Sequence, residues 1–300
     1  MRYIPLSGLF VLSFCAAASA ADVTITTAQG EVTLPEQPEK VAILDVAAID
    51  SLHALGVLPA GRPDNILVDY LDDVAKVAQP VGTLFEPNLE ALATLEPDLI
   101  VVGGRSATQL DAVSQVATAI DMTIGADLVS DAKAHIAAYG ELFGKQDKAA
   151  ELVATLDQKL TEAREAGEGK GTALMVLTNG PKMSAFGKGS RFGWVFDATG
   201  LQEAATGLKT DTHGNAISHE FIAQHDPDWL IVLDRGAAVG QDGTSAEVTL
   251  KNPLVESTKA WKNGNVVYLN PGSTYISGGG YTSLIGNLDI LTGALNASDS

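Results

Sequence analysis

Three arginines stand out by type and spacing. Arg105 follows Gly103-Gly104, Arg191 lies between Gly189 and Gly193, and Arg235 precedes Gly236. Each sits in a glycine-flanked segment, and glycine lets a backbone approach a ligand closely. Arg105 and Arg235 also directly follow apolar runs that read as strands. In parallel α/β sheets the carboxyl ends of strands line the ligand crevice. Guanidinium groups there favour an anionic, oxygen-rich ligand through charge-assisted hydrogen bonds. Two more residues fall in similar segments: His213 before Gly214, and Tyr275 before Ile276-Ser277-Gly278-Gly279-Gly280. An imidazole and a phenolate are competent ligands for a ferric ion, which prefers hard oxygen donors and accepts nitrogen. Phe192 and Trp194 are candidates for an apolar wall beside them.

Other chemistry is missing from the chain. The run Gly187 to Gly193 approaches G-x-G-x-x-G, but its last glycine comes one residue late and it precedes no early acidic residue of the Rossmann kind, so dinucleotide binding is not expected. There is no P-loop and no G-x-S-x-G nucleophile elbow. The five histidines form neither H-x-H nor H-E-x-x-H. The chain is therefore expected to be a binding protein and not an enzyme, with no intrinsic cofactor.

These residues need a frame, and 300 residues with 46% hydrophobic content are enough for one large or two ordinary domains. Val23 to Thr27 and Glu31 to Leu34 read as a hairpin. Strands are expected at Lys40 to Leu44, Asp98 to Val102, Thr172 to Leu177, Trp229 to Leu233 and Asn265 to Leu269. Helices are expected at Val46 to Leu55, Leu89 to Leu95, Ser106 to Ala119 and Ser283 to Leu295. Continuous apolar strands alternating with helices imply a parallel sheet covered on both faces. Asp147 to Ala166 keeps a helical apolar period without glycine or proline, and reads as one long amphipathic helix that can span two lobes. The halves also repeat: Glu90, Ala93 and Pro97-Asp98 recur as Glu220, Ala223 and Pro227-Asp228, at a constant offset of 130 residues. The expected architecture is α/β: two Rossmann-like α/β lobes joined by one long α-helix, with a ligand cleft between them. The boundaries are 21–144 for the first lobe, 145–168 for the helix and 169–300 for the second lobe.

Residues 1–20 have the layout of a cleavable signal peptide: Arg2, an apolar run, and Ala18-Ser19-Ala20. Cys15, the one cysteine, falls inside it after Phe14, which is a poor lipidation context. Export as a free, soluble protein is expected. The formal net charge of -18 disfavours nucleic acid and anionic membrane surfaces as partners.

Together the marks Gly104-Arg105, Gly189 to Gly193, His213-Gly214, Asp234-Arg235-Gly236 and Tyr275 to Gly280 resemble the periplasmic ferric-siderophore-binding proteins of ABC importers, the group with two α/β lobes and a rigid interdomain helix. The resemblance implies that Arg105, Arg191 and Arg235 clamp an anionic, catecholate-type iron complex. Trp194 would add a ligand-binding wall, and His213 and Tyr275 are implied as metal ligands. It further implies that Glu90 and Glu220, one on each lobe, dock onto the permease of an inner-membrane ABC transporter. The partners would be the ferric siderophore and that permease, and the protein would act as a monomer in the periplasm. A same-fold carrier of haem, a corrinoid, a hydroxamate siderophore or bare metal stays open, as does a siderophore-cleaving hydrolase.

Overall fold

The computed structural model describes residues 22–298; the expected signal segment, with Arg2 and Cys15, lies outside them. The chain opens with an antiparallel hairpin, Asp22–Thr27 on Gly30–Pro35. Two sheets follow. The first is five-stranded and parallel, in the order Gln79–Pro80, Gly61–Arg62, Val41–Ile43, Leu99–Val102, Ala119–Asp121. The second has six strands. Its spine runs Asn215–Ile217, Lys182–Phe186, Thr172–Asn179, Trp229–Asp234, Val266–Tyr268, and Gln202–Glu203 pairs beside Thr172–Asn179. The two strands at one end of it are antiparallel and the rest parallel.

The central strands are apolar throughout because both faces are buried. Val41, Ile43, Leu99 and Val101 enter one core, while Ala42, Leu44, Ile100 and Val102 enter another on the opposite face. The second sheet repeats this: Met175, Leu177, Ile231 and Leu233 face one way, and Leu174, Val176, Leu230 and Val232 the other.

The 130-residue repeat is physical. The helices Leu89–Leu95 and His219–His225 are each capped by a polar side chain, Asn88 on Ala91 N–H and Ser218 on Phe221 N–H. Each ends on a non-glycine residue with positive φ, Glu96 at 51° and Asp226 at 39°. Asp98 then accepts from the Lys40 N–H at 2.7 Å, and Asp228 from the Thr172 N–H at 2.9 Å. In each lobe the aspartate thus ties the start of one central strand to the start of its neighbour.

The long helix is Gln146–Gly167, 22 residues, or ~33 Å at ~1.5 Å per residue. The last helix, Tyr281–Ala297, packs along it. That helix starts against Val46–Ala54 of the first lobe and ends in the core of the second, where Leu288, Leu291 and Leu295 are buried. The chain thus crosses between the lobes through one long helix, as expected, and the last helix packs beside it against both lobes.

One expected element is absent. Ser106 to Ala119 is not a helix: only a 3-10 turn, Ala107–Gln109, and a single helical turn, Leu110–Val113, form there. Ala119–Asp121 becomes the edge strand beside Leu99–Val102. Sheet pairing at Ile120 and Asp121 outweighs the helical spacing of the apolar residues before it.

Candidate functional site

The first arginine is set by the end of the strand Leu99–Val102. Ser106, fully buried, donates to the Leu44 carbonyl at 2.7 Å and accepts from the Gly103 N–H at 3.1 Å. This pins the turn that carries Arg105. The second arginine rides on a turn closed by Ser190, which donates to the Gly187 carbonyl. A Cβ at Gly193 would overlap that same carbonyl, so only glycine fits. Arg235 is the first residue of a short helix, Arg235–Ala238, capped by Asp234. It is not in an open loop.

All three guanidiniums converge on one residue. Arg105 and Arg191 donate to the backbone carbonyl of Tyr275, at 2.8 and 2.7 Å. Arg235 donates through Nε to the Tyr275 hydroxyl at 3.1 Å. The guanidinium carbons of Arg105, Arg191 and Arg235 stand 5.1, 4.6 and 5.6 Å from the centre of the Tyr275 ring, the range of cation–π attraction. Tyr275 ends the short helix Pro271–Tyr275 and stacks on Phe192, with ring centres 6.3 Å apart.

The ionisation of these groups follows from their crowding. Burial opposes ionisation of the Tyr275 phenol. The Arg235 hydrogen bond and the charges of Arg191, Arg235 and Arg105 outweigh it, and hold the phenol below its ordinary value. Burial, helped by the Arg105 charge, makes Arg191 less basic than usual. Among the described residues no arginine has a carboxylate within 4.0 Å. The chain holds 37 acidic residues, yet three guanidiniums face one cleft without a carboxylate partner.

The cleft consists of two adjoining cavities of about 510 and 340 Å³. Arg191, Phe192, Thr212, His213 and Tyr275 line both; Arg105 lines the larger and Arg235 the smaller. The structure thus brings together Arg105, Arg191, Arg235, His213 and Tyr275. His213 is exposed and makes no hydrogen bond among the described residues, so its imidazole is available to a ligand.

Trp194 is elsewhere. It is buried at 7% exposure in the core of the second lobe and lines a separate cavity, so Phe192 alone supplies the aromatic wall expected of the pair. Glu90 and Glu220 lie in the first turns of the two equivalent helices, are exposed, and line neither cavity of the cleft. The other histidines have local roles: His53 pairs with Asp73 at 2.8 Å, and His219 contacts the Thr249 carbonyl at 2.9 Å.

Some contributors escape sequence inspection. Asp45 lines the larger cavity, caps the helix Val46–Ala54, and is pushed towards the neutral form by burial. Its place between a strand and a helix was the available signal. The Tyr275 carbonyl, which holds two arginines, has no signal in residue type. Phe85, 62% exposed, reaches the cleft from a segment without regular structure.

Residues 41–272 match the model of a family described as periplasmic binding protein. The chain belongs to that family. Among its relatives is the petrobactin-binding protein YclQ of Bacillus subtilis, 32% identical over 303 residues, covering 95% of this chain and 94% of the relative. The ferric-anguibactin-binding protein FatB of Vibrio anguillarum is 34% identical over 264 residues, covering 85% and 82%. The crystal structure of the periplasmic catecholate-siderophore-binding protein VctP of Vibrio cholerae is similar at a TM-score of 0.85 and 29% identity, covering 92% of this chain and all of that one. The two-lobed α/β architecture of this periplasmic binding protein is shared with that structure.

Proposed function

We propose that this protein is an exported substrate-binding protein of an ABC importer, and that its cleft captures an anionic ferric siderophore of the catecholate type. The observation that carries the reading is the convergence of Arg105, Arg191 and Arg235 on Tyr275 without a carboxylate among them. Three crowded, part-buried cations with no carboxylate partner repel one another at one strand-end cleft, and an anionic ligand offsets that repulsion. Relatives named for petrobactin and ferric anguibactin support iron complexes as the class of ligand.

His213 and Tyr275 are the candidate direct iron ligands. Two protein donors leave most of an iron coordination sphere to the siderophore, so the cargo arrives already complexed. The arginines neutralise the catecholate oxygens, and a phenol held below its ordinary value gives up its proton readily to a ferric ion. Capture requires no covalent step. Glu90 and Glu220 are the proposed contacts to the permease, one on each lobe at equivalent helix starts.

The test is titration of the mature protein with a ferric bis-catecholate complex, followed by quenching of intrinsic fluorescence. Binding in the micromolar range or tighter is expected. Arg191→Ala should weaken it by ~1.5–3 kcal/mol, or about ten- to a hundredfold, while a neutral iron complex changes little. No binding of any ferric catecholate in the micromolar range rejects the reading.

A further inference from the structure

A cavity of about 730 Å³ lies beside the cleft, between the start of the helix Leu128–Leu142, the bridging helix Gln146–Gly167 and the helix Trp194–Thr199. Two segments divide it from the cleft, and both have residues on each side. In 124–129, Ile124 and Gly125 face the cleft, Asp127 and Val129 face the cavity, and Leu128 lines both. In 189–194, Arg191 and Phe192 face the cleft, while Gly189 and Trp194 face the cavity. The two spaces are thus neighbours across a single side chain.

The fixed charges around the cavity are already engaged. Asp157 pairs with Lys133 at 2.8 Å and Asp197 with Lys188 at 2.9 Å. Asp127 caps the helix that follows it, and Arg164 donates to the Asp197 carbonyl at 3.2 Å. What remains is an apolar wall of Leu128, Val129, Leu160 and the Trp194 indole. Trp194 is 7% exposed, and its N–H makes no hydrogen bond among the described residues yet is not one of the fully buried unpartnered polar atoms, so it stays open to an acceptor. The size is that of a small-molecule pocket.

We propose that this cavity receives an uncharged, amide-bearing arm of the siderophore whose iron centre sits in the cleft. The inference rests on the reading of the cleft given above. The arm passes Leu128, packs on Leu160 and Trp194, and its amide carbonyl accepts from the indole N–H. The specificity of the protein then depends on the backbone of the siderophore as well as on its iron-binding groups.

Two ferric complexes test this: one of a catechol amide without an arm, and one of the same catechol amide bearing a six-carbon, acetamide-capped arm. The wild-type protein should bind the armed complex about tenfold tighter. Thr161→Trp fills the cavity from the exposed face of the bridging helix. It should abolish that preference and leave the armless affinity unchanged. Trp194→Phe keeps an aromatic side chain but removes the donor, and should reduce the preference about threefold or more. Equal affinity of the wild type for both complexes overturns this inference alone, as does a preference untouched by both substitutions. If neither complex binds the wild type, the cleft reading falls and this inference with it.

Discussion

Tyr275 is the residue on which the site turns, and its ionisation should be visible. Tyr70, Tyr139, Tyr268 and Tyr281 are all pushed up by burial, and Tyr275 alone of the described tyrosines is lowered. A spectrophotometric titration should therefore show one phenol ionising early, before the ordinary tyrosine range near ~10. Tyr275→Phe should remove that step and no other. The sign of the linked stability follows. Between the lowered folded value and the unfolded one, the unfolded chain binds the extra proton, so stability rises with pH through that window. The contribution is lost as pH falls through the folded value. A wild-type curve that coincides with that of Tyr275→Phe would show that the arginines do not act on the phenol. The residue types of the site were legible in the sequence, because arginine and glycine at strand ends carry a chemical signal. The meeting of two arginines on a backbone carbonyl was not, since it depends on which way one peptide plane points.

At the scale of elements, the last helix depends on a residue of the other lobe. Asp50, fully buried in Val46–Ala54, accepts from the N–H groups of Thr282 and Ser283, each at 2.9 Å, and from the Tyr70 hydroxyl at 2.8 Å. Tyr70 also meets Ser277 at 2.7 Å, two residues beyond Tyr275. A Cβ at Gly280 would collide with the Asp50 carboxylate, which explains a glycine there. One carboxylate thus caps the helix Tyr281–Ala297 and steadies the turn that presents Tyr275. Asp50→Ala should lower the free energy of unfolding by about 3 kcal/mol, since several buried donors lose their acceptor together. Ser51→Ala, which removes only the acceptor for the Tyr281 N–H at 3.2 Å, should cost about 1 kcal/mol. Denaturant titration compares the two, and equal effects would mean that Asp50 is no special cap. The sequence showed the long helices and buried strands well, because twenty residues of one period leave a clear pattern. It did not show Gly61–Arg62 or Gln79–Pro80, because strands of two residues have no period to read. The helix read across Ser106 to Ala119 failed for the related reason that an edge strand of three residues is defined by its neighbour.

At the scale of the whole molecule, the rigid frame and the charge distribution together set how a ligand arrives. Two packed helices bridge the lobes, so the cleft is largely formed before binding, and association is mainly an electrostatic encounter. The body carries a formal charge of -18, while the cleft presents three guanidiniums without carboxylate partners. An anionic complex far away feels the acidic body; one close to the cleft feels the arginines. Salt separates the two, since the Debye length falls from ~30 Å at 0.01 M to ~8 Å at 0.15 M. At low ionic strength the long-range repulsion reaches the incoming complex before the local attraction does. Near 0.15 M the repulsion is screened over most of the approach, while the attraction acts within a few ångströms and survives. The association rate for a ferric bis-catecholate anion should therefore rise between those salt concentrations, the reverse of ordinary steered binding between opposite charges. Stopped-flow fluorescence measures it directly. A rate that falls with salt would mean that the arginine field extends beyond the acidic shell and that the basic cleft steers its ligand from a distance.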